Sequence, residues 1–167
     1  MDAALHARLD ARVAALVALY RRVQRERMDG VPLVHAGLAV HAEGFEAEAD
    51  GAAAVGVLVT PWFMNLVRLP LDAAVPMAPA GATRRRVVGH TSFDFIGAHE
   101  PDFGAYEACS LFSPMFEFAD QSAAEATARE VLAALRRSQV PETRQASQAP
   151  QASRRALLFG RADGAPR

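Results

Sequence analysis

Between Ala53 and Thr60 the chain puts Val55, Val57 and Val59 on one side of an extended backbone and Leu58 on the other. Successive side chains of a strand point to opposite faces, so a segment that is apolar at both parities must be covered on both. Such a strand belongs inside a sheet, with neighbours beside it and packed layers above and below. At 167 residues and 51% hydrophobic, the chain can bury one core of that kind, and its length favours a single domain.

The flanking sequence supplies the layers. Leu5, Leu9, Val13, Leu16, Val17, Tyr20 and Val23 recur at steps of three and four with arginines between them, which predicts an amphipathic helix from about Ala3 to Arg27. Leu38 to Ala49 alternates imperfectly, with Gly44 placed to make a bulge, and Asp50-Gly51 reads as a hairpin turn. Asn65 to Leu69 is a further short strand closed by Pro70, and Pro76, Pro79 and Gly81 make an irregular loop. From Thr83 to Gly97 the pattern predicts one long strand, with Thr91, Phe93 and Phe95 on one face and His90, Ser92 and Asp94 on the other. Glu100 to Gly104 reverses the chain into an antiparallel partner, Tyr106 to Phe112. Ser122 with Glu125 has the form of a capping box, opening a helix whose Val131, Leu132 and Leu135 face the core and which ends near Ser138.

These elements predict an α+β fold: a mostly antiparallel sheet flanked by an N-terminal and a C-terminal helix, its strand order left open. Residues 1–138 form the domain. Residues 139–153, rich in Gln, Ala, Ser and Pro, read as a flexible linker. Residues 154–167 form a hydrophobic-basic tail that docks on the domain or on a partner.

Charge excludes several functions. The 18 basic residues, all arginine, are balanced by 19 acidic ones for a net charge of −1, so there is no basic excess to neutralise a nucleic-acid backbone. Arg84-Arg85-Arg86 reads as a solvated strand entry. The most apolar stretch, Ala52 to Leu71, is interrupted by Pro61, Asn65, Arg68 and Pro70, and arginines break up the first thirty residues. Neither membrane insertion nor export is expected, and the compartment implied is the cytoplasm.

Catalytic and metal chemistry find little support. His35, His41, His90 and His99 match no metal-ligand spacing, and no glycine-rich phosphate loop is present. Cys109, the single cysteine, falls mid-strand, where a buried small hydrophobe is expected. The competing classes are a thiol-dependent enzyme or redox protein using Cys109, and a small-ligand-binding domain.

Trp62 and Phe63 follow a proline at a strand end, where large aromatics either plug the core or anchor an interface. Leu157, Leu158 and Phe159, preceded by Arg154 and Arg155, need cover from the domain or from a partner.

Three motifs occur in order: Val59-Thr60-Pro61-Trp62 at one strand end, Cys109-Ser110-Leu111-x-Ser113-Pro114 at another, and Arg154-Arg155-Ala156-Leu157-Leu158-Phe159-Gly160-Arg161 near the close. Together they resemble the HybE/HupJ family of [NiFe]-hydrogenase assembly chaperones. The resemblance implies a cytoplasmic maturation factor that binds precursor hydrogenase large or small subunits. It also implies a role in holding back twin-arginine export until cofactor insertion and subunit assembly are complete, with neither turnover nor a cofactor. Some members of the family carry a rubredoxin module with paired cysteines; with Cys109 alone, that iron site does not carry over. The partner-binding candidates are Trp62, Phe63, Arg154, Arg155, Leu157, Leu158 and Phe159, bordering an apolar groove beside the sheet.

Overall fold

The computed structural model describes residues 2–137. Asp2 opens the first helix, α1 (Ala3–Arg27), by accepting a hydrogen bond from the Ala4 N–H, which satisfies one of the otherwise unpaired amides of a helix start. Leu9, Leu16, Leu19 and Val23 form its buried stripe. Among the described residues six strands follow: β1 (His41–Ala47), β2 (Ala53–Val59), β3 (Met64–Pro70), β4 (Thr83–Val88), β5 (Thr91–Glu100) and β6 (Gly104–Phe112). A second helix, α2 (Gln121–Arg136), comes last.

The strands form one antiparallel sheet in the order β1-β2-β3-β6-β5-β4. It consists of two three-stranded meanders joined where β3 pairs with β6. As its two-sided apolar pattern requires, β2 lies between two other strands and is buried along its whole length. Val55, Val57 and Val59 pack with Val131, Leu132 and Leu135 of α2. Leu58 packs with Leu16 and Leu19 of α1 on the opposite face. The sheet is thus the middle layer of an α+β arrangement with one helix on each side. The expected bulge is present: the β1–β2 register shifts between Glu43 and Glu46, and Gly44 takes φ +57°.

Three local expectations need correction. The segment Thr83–Gly97 is a hairpin, with Val88 paired to Thr91 around Gly89-His90. That dipeptide lacks the Asn-Gly or Asp-Gly signature by which such turns are read from sequence. Gly89 adopts φ +62°, and a Cβ there would run into the Leu135 carbonyl oxygen, so the hairpin tip rests directly on the end of α2. The cap of α2 is Asp120, whose Oδ1 accepts from the Ala123 N–H at 2.8 Å; Glu125 instead receives the Gln121 side-chain amide. Leu38 and Val40 are buried, yet the first strand begins only at His41, because the preceding loop is held by turns and by side-chain contacts.

Candidate functional site

At the end of the sheet where β2 turns into β3, Thr60 is fully buried and organises the turn. Its Oγ1 accepts from the Phe63 N–H at 3.0 Å and the Trp62 N–H at 3.3 Å. Its backbone N–H bonds to the Phe63 carbonyl at 2.8 Å. A hydroxyl that satisfies two amides of a tight turn fixes where the next side chains point. Trp62 and Phe63 are therefore thrown sideways onto Tyr20 of α1, with ring centroids 6.5 and 5.5 Å away. Both aromatics are half-buried, packed on the α1 core with part of their surface in solvent.

The second motif arrives beside the first. Asn65 pairs with Ser110 and Met64 with Phe112, with a register shift between them, so the exit of β6 lies against the entry of β3. The chain leaves β6 through a cis Ser113-Pro114 peptide and presents Phe116, 56% exposed. His35 ties these loops together. Its backbone N–H donates to the Pro61 carbonyl, its Nε2 lies 2.8 Å from the Phe118 carbonyl, and its ring stacks on Phe116 with centroids 6.2 Å apart. Because its Nδ1 accepts from the Gly37 N–H at 2.9 Å, the proton of the neutral ring sits on Nε2. Leu33, two residues earlier in the same loop, is 52% exposed. Leu33 and Phe116 stand at this end of the sheet but escaped the sequence reading, and His35 was weighed there only as a metal ligand, since each stands in a loop without periodicity. The one available signal was the Phe116-Glu117-Phe118 spacing, in which one aromatic is buried and the other is not.

The opposite end of the sheet is built from charge. Glu107 on β6 is fully buried and receives Arg86 twice, at 2.6 and 2.9 Å, together with the Ala78 N–H at 2.7 Å. Arg68 lies 3.8 Å from the same carboxylate and binds Glu48 through two hydrogen bonds of 2.7 and 2.9 Å. Burial pushes the Glu107 carboxyl upward, but the Arg86 and Ala78 hydrogen bonds and the nearby arginines outweigh it, and its pKa lies below the ordinary value. Arg84 and Arg85 are exposed as expected of a strand entry, whereas Arg86 is not simply solvated: alternation along β4 turns it inward to Glu107. Beside this network lies a cleft of about 550 Å³ between the β1–β2 hairpin, the β4–β5 hairpin and the end of α2.

The remaining chemical candidates are scattered. Cys109 is 5% exposed in the core beneath α2, which withholds its thiol from a substrate. His90 and His99 are exposed at separate places on the hairpin and on β5. His41 does approach Glu43 and Glu125, with donor atoms within 4.8 Å of one another. Arg129 lies 3.3 Å from the Glu43 carboxylate and 3.9 Å from that of Glu125, so the two charges already face a guanidinium. Arg154, Arg155, Leu157, Leu158 and Phe159, with the linker and tail as a whole, lie outside the described residues. Among the described residues no helix is long and apolar enough to cross a membrane.

Comparison with known proteins gives this arrangement a context. A protein from Cupriavidus necator named HoxT is 45% identical over 165 residues, covering 90% of this chain and 89% of that protein. The hydrogenase expression/formation protein HupJ of Bradyrhizobium diazoefficiens is 42% identical over 72% of this chain and 69% of its own. The solution structure of HybE from Escherichia coli shares the fold, with a TM-score of 0.56 at 24% identity over 92% of this chain and 91% of that one. The family described as [NiFe]-hydrogenase assembly, chaperone, HybE matches residues 11–160. With its two strand-end motifs joined at one end of the sheet and that match running almost the whole length of the chain, the protein belongs to the HybE family of [NiFe]-hydrogenase assembly chaperones.

Proposed function

We propose that the protein binds an unfinished [NiFe]-hydrogenase subunit, large or small, in the cytoplasm, and holds it back from twin-arginine export until its assembly is complete. The observation that carries this is the loop end itself. The Thr60-Pro61-Trp62 turn and the Ser110–Pro114 exit are brought side by side, and that end of the sheet leaves Leu33 and Phe116 in solvent with Trp62 and Phe63 half-covered. Exposed apolar residues at the same end of the sheet as half-buried aromatics are what a protein-binding surface needs, because an aromatic already packed on one side gains the rest of its burial from a partner with little further loss of side-chain freedom. In this reading the protein acts by binding, without turnover.

Affinity capture with the tagged full chain from hydrogenase-producing cells, followed by mass spectrometry, tests this. Precursor hydrogenase subunits are expected with the unaltered chain and are depleted with Trp62→Ala. Capture of no hydrogenase subunit at adequate expression would overturn the proposal.

A further inference from the structure

The cleft at the end of α2 lies away from the loop end and plays no part in the function proposed above. We infer that it is the docking site of the chain's own segment Arg154–Arg161. The described chain leaves α2 at this cleft, since Leu135 and Arg136 are part of its lining. The family match continues to residue 160, so the segment Arg154 to Gly160 belongs to the pattern that matches and is no casual extension.

The chemistry of the two fits. Val55, Val88, Leu132 and Leu135 give the cleft an apolar wall, with Val88 half-buried and the other three nearly covered. The charges are layered by depth. The Arg68 and Arg86 side chains are 9% and 23% exposed and held by Glu48 and Glu107, whereas the rim carries Glu46, whose side chain is 62% exposed and 2.9 Å from Arg136, and Asp50, which is also in solvent. An occupant suited to this cleft has large apolar side chains in the middle and cations at its ends. Leu157-Leu158-Phe159, preceded by Arg154-Arg155 and followed by Arg161, has that order. The intervening residues 138–153 impose no limit of reach: at up to about 3.5 Å per residue they outspan α2, which at about 1.5 Å per residue is roughly 24 Å long. The same tether would reach the loop end, which makes that surface the control.

Paired cysteines in the full chain test the assignment, with Cys109 left in its buried place. Under mild diamide oxidation at high dilution, the Ala49→Cys, Ala156→Cys pair, whose first member is exposed on the cleft lining, is expected to close an intramolecular disulfide at least about tenfold faster than the Leu33→Cys, Ala156→Cys pair, because docking raises the local concentration of the tail above what tethering alone provides. Equal rates, a faster Leu33 pair or mainly intermolecular products would each overturn it. A second measurement leaves the cleft intact. Replacing Leu157, Leu158 and Phe159 by serine is expected to raise hydrogen exchange in the Ala47–Gly51 turn and at Val88-Gly89 while leaving Trp62-Phe63 unchanged; unchanged exchange at the cleft would overturn it. Neither readout involves a hydrogenase subunit, so the inference stands or falls separately from the proposed function.

Discussion

Where α2 ends, the deeply buried charges are matched: Glu107 and Arg68 sit among Arg86, Glu48 and the Ala78 amide with short hydrogen bonds on every side. Where α2 begins, Phe116 and Leu33 stand more than half exposed beside partly covered aromatics. Burying an ion pair adds little to stability compared with an apolar pair of the same shape, but removing one partner is severe, because the other charge is left without water. The charged end therefore registers strands: β3, β4 and β6 must come together correctly for the network to close. The loop end fixes its backbone equally firmly, through Thr60 and His35, but spends that order on holding apolar side chains outward. Rigid backbone beneath exposed apolar surface is the arrangement expected of a surface that waits for a partner.

Several experiments would break or sharpen this contrast. Glu107→Ala should have the largest effect, about 3–5 kcal/mol of destabilisation in urea unfolding, since it strands Arg86 and the Ala78 amide at once; a loss below 1 kcal/mol would mean that the network places nothing. The sign of its pH dependence follows from the same contacts. A carboxyl held below its ordinary value of 4.5 contributes stability above that pH and loses it progressively as pH falls toward the folded-state value. The acid limb of the unfolding midpoint should therefore be shallower in Glu107→Gln than in the unaltered chain.

Trp62→Ala is next, and it acts on binding. Capture of the partner should fall by about 2 kcal/mol, roughly thirtyfold, with the fold retained. Unfolding of the variant would place Trp62 with the core instead. The tyrosine pair that ties this end to the start of β6, Tyr20, beneath Trp62 and Phe63, and Tyr106, with hydroxyls 2.5 Å apart, should respond to alkali. Burial raises both above the ordinary value of 10.0, so the pair's stability is present below that pH and is lost as pH rises beyond it. Tyr20→Phe should cost about 1 kcal/mol at neutral pH and flatten the alkaline limb. The smallest effect on stability belongs to the double variant Leu33→Ser, Phe116→Ser, within about 0.5 kcal/mol by thermal unfolding, although capture of the partner should weaken.

Much of the fold was legible because it rests on local periodicity. The helix over Ala3–Arg27, the buried strand at 53–59 and the reversal at Glu100–Gly104 all stand where the pattern puts them. The Gly89-His90 hairpin was not legible, because its turn is enforced from outside: the positive φ of Gly89 and the Leu135 carbonyl pressed against it are tertiary facts. Arg86 was misread for the same reason, one inward position in a run of three arginines whose partner lies 21 residues away. At the candidate site Trp62 and Phe63 could be singled out by residue type alone. Leu33 and Phe116 could not, and His35 stood out only as a histidine to be weighed for metal binding, because what brings the three to one end of the sheet is the meeting of three loops.

Alternation and amphipathic spacing, read along the chain, determined that this protein would be an antiparallel sheet between two helices, and three short motifs pointed to its family. These are properties of neighbouring residues, and neighbours interact before the chain folds. Tertiary structure alone decided that β6 pairs with β3, that Glu107 meets Arg86 and Arg68, and that two of the motifs share one end of the sheet. Each of these joins residues far apart in the chain, whose contact is set by the sum of all the packing around them and by no pattern that either segment carries alone.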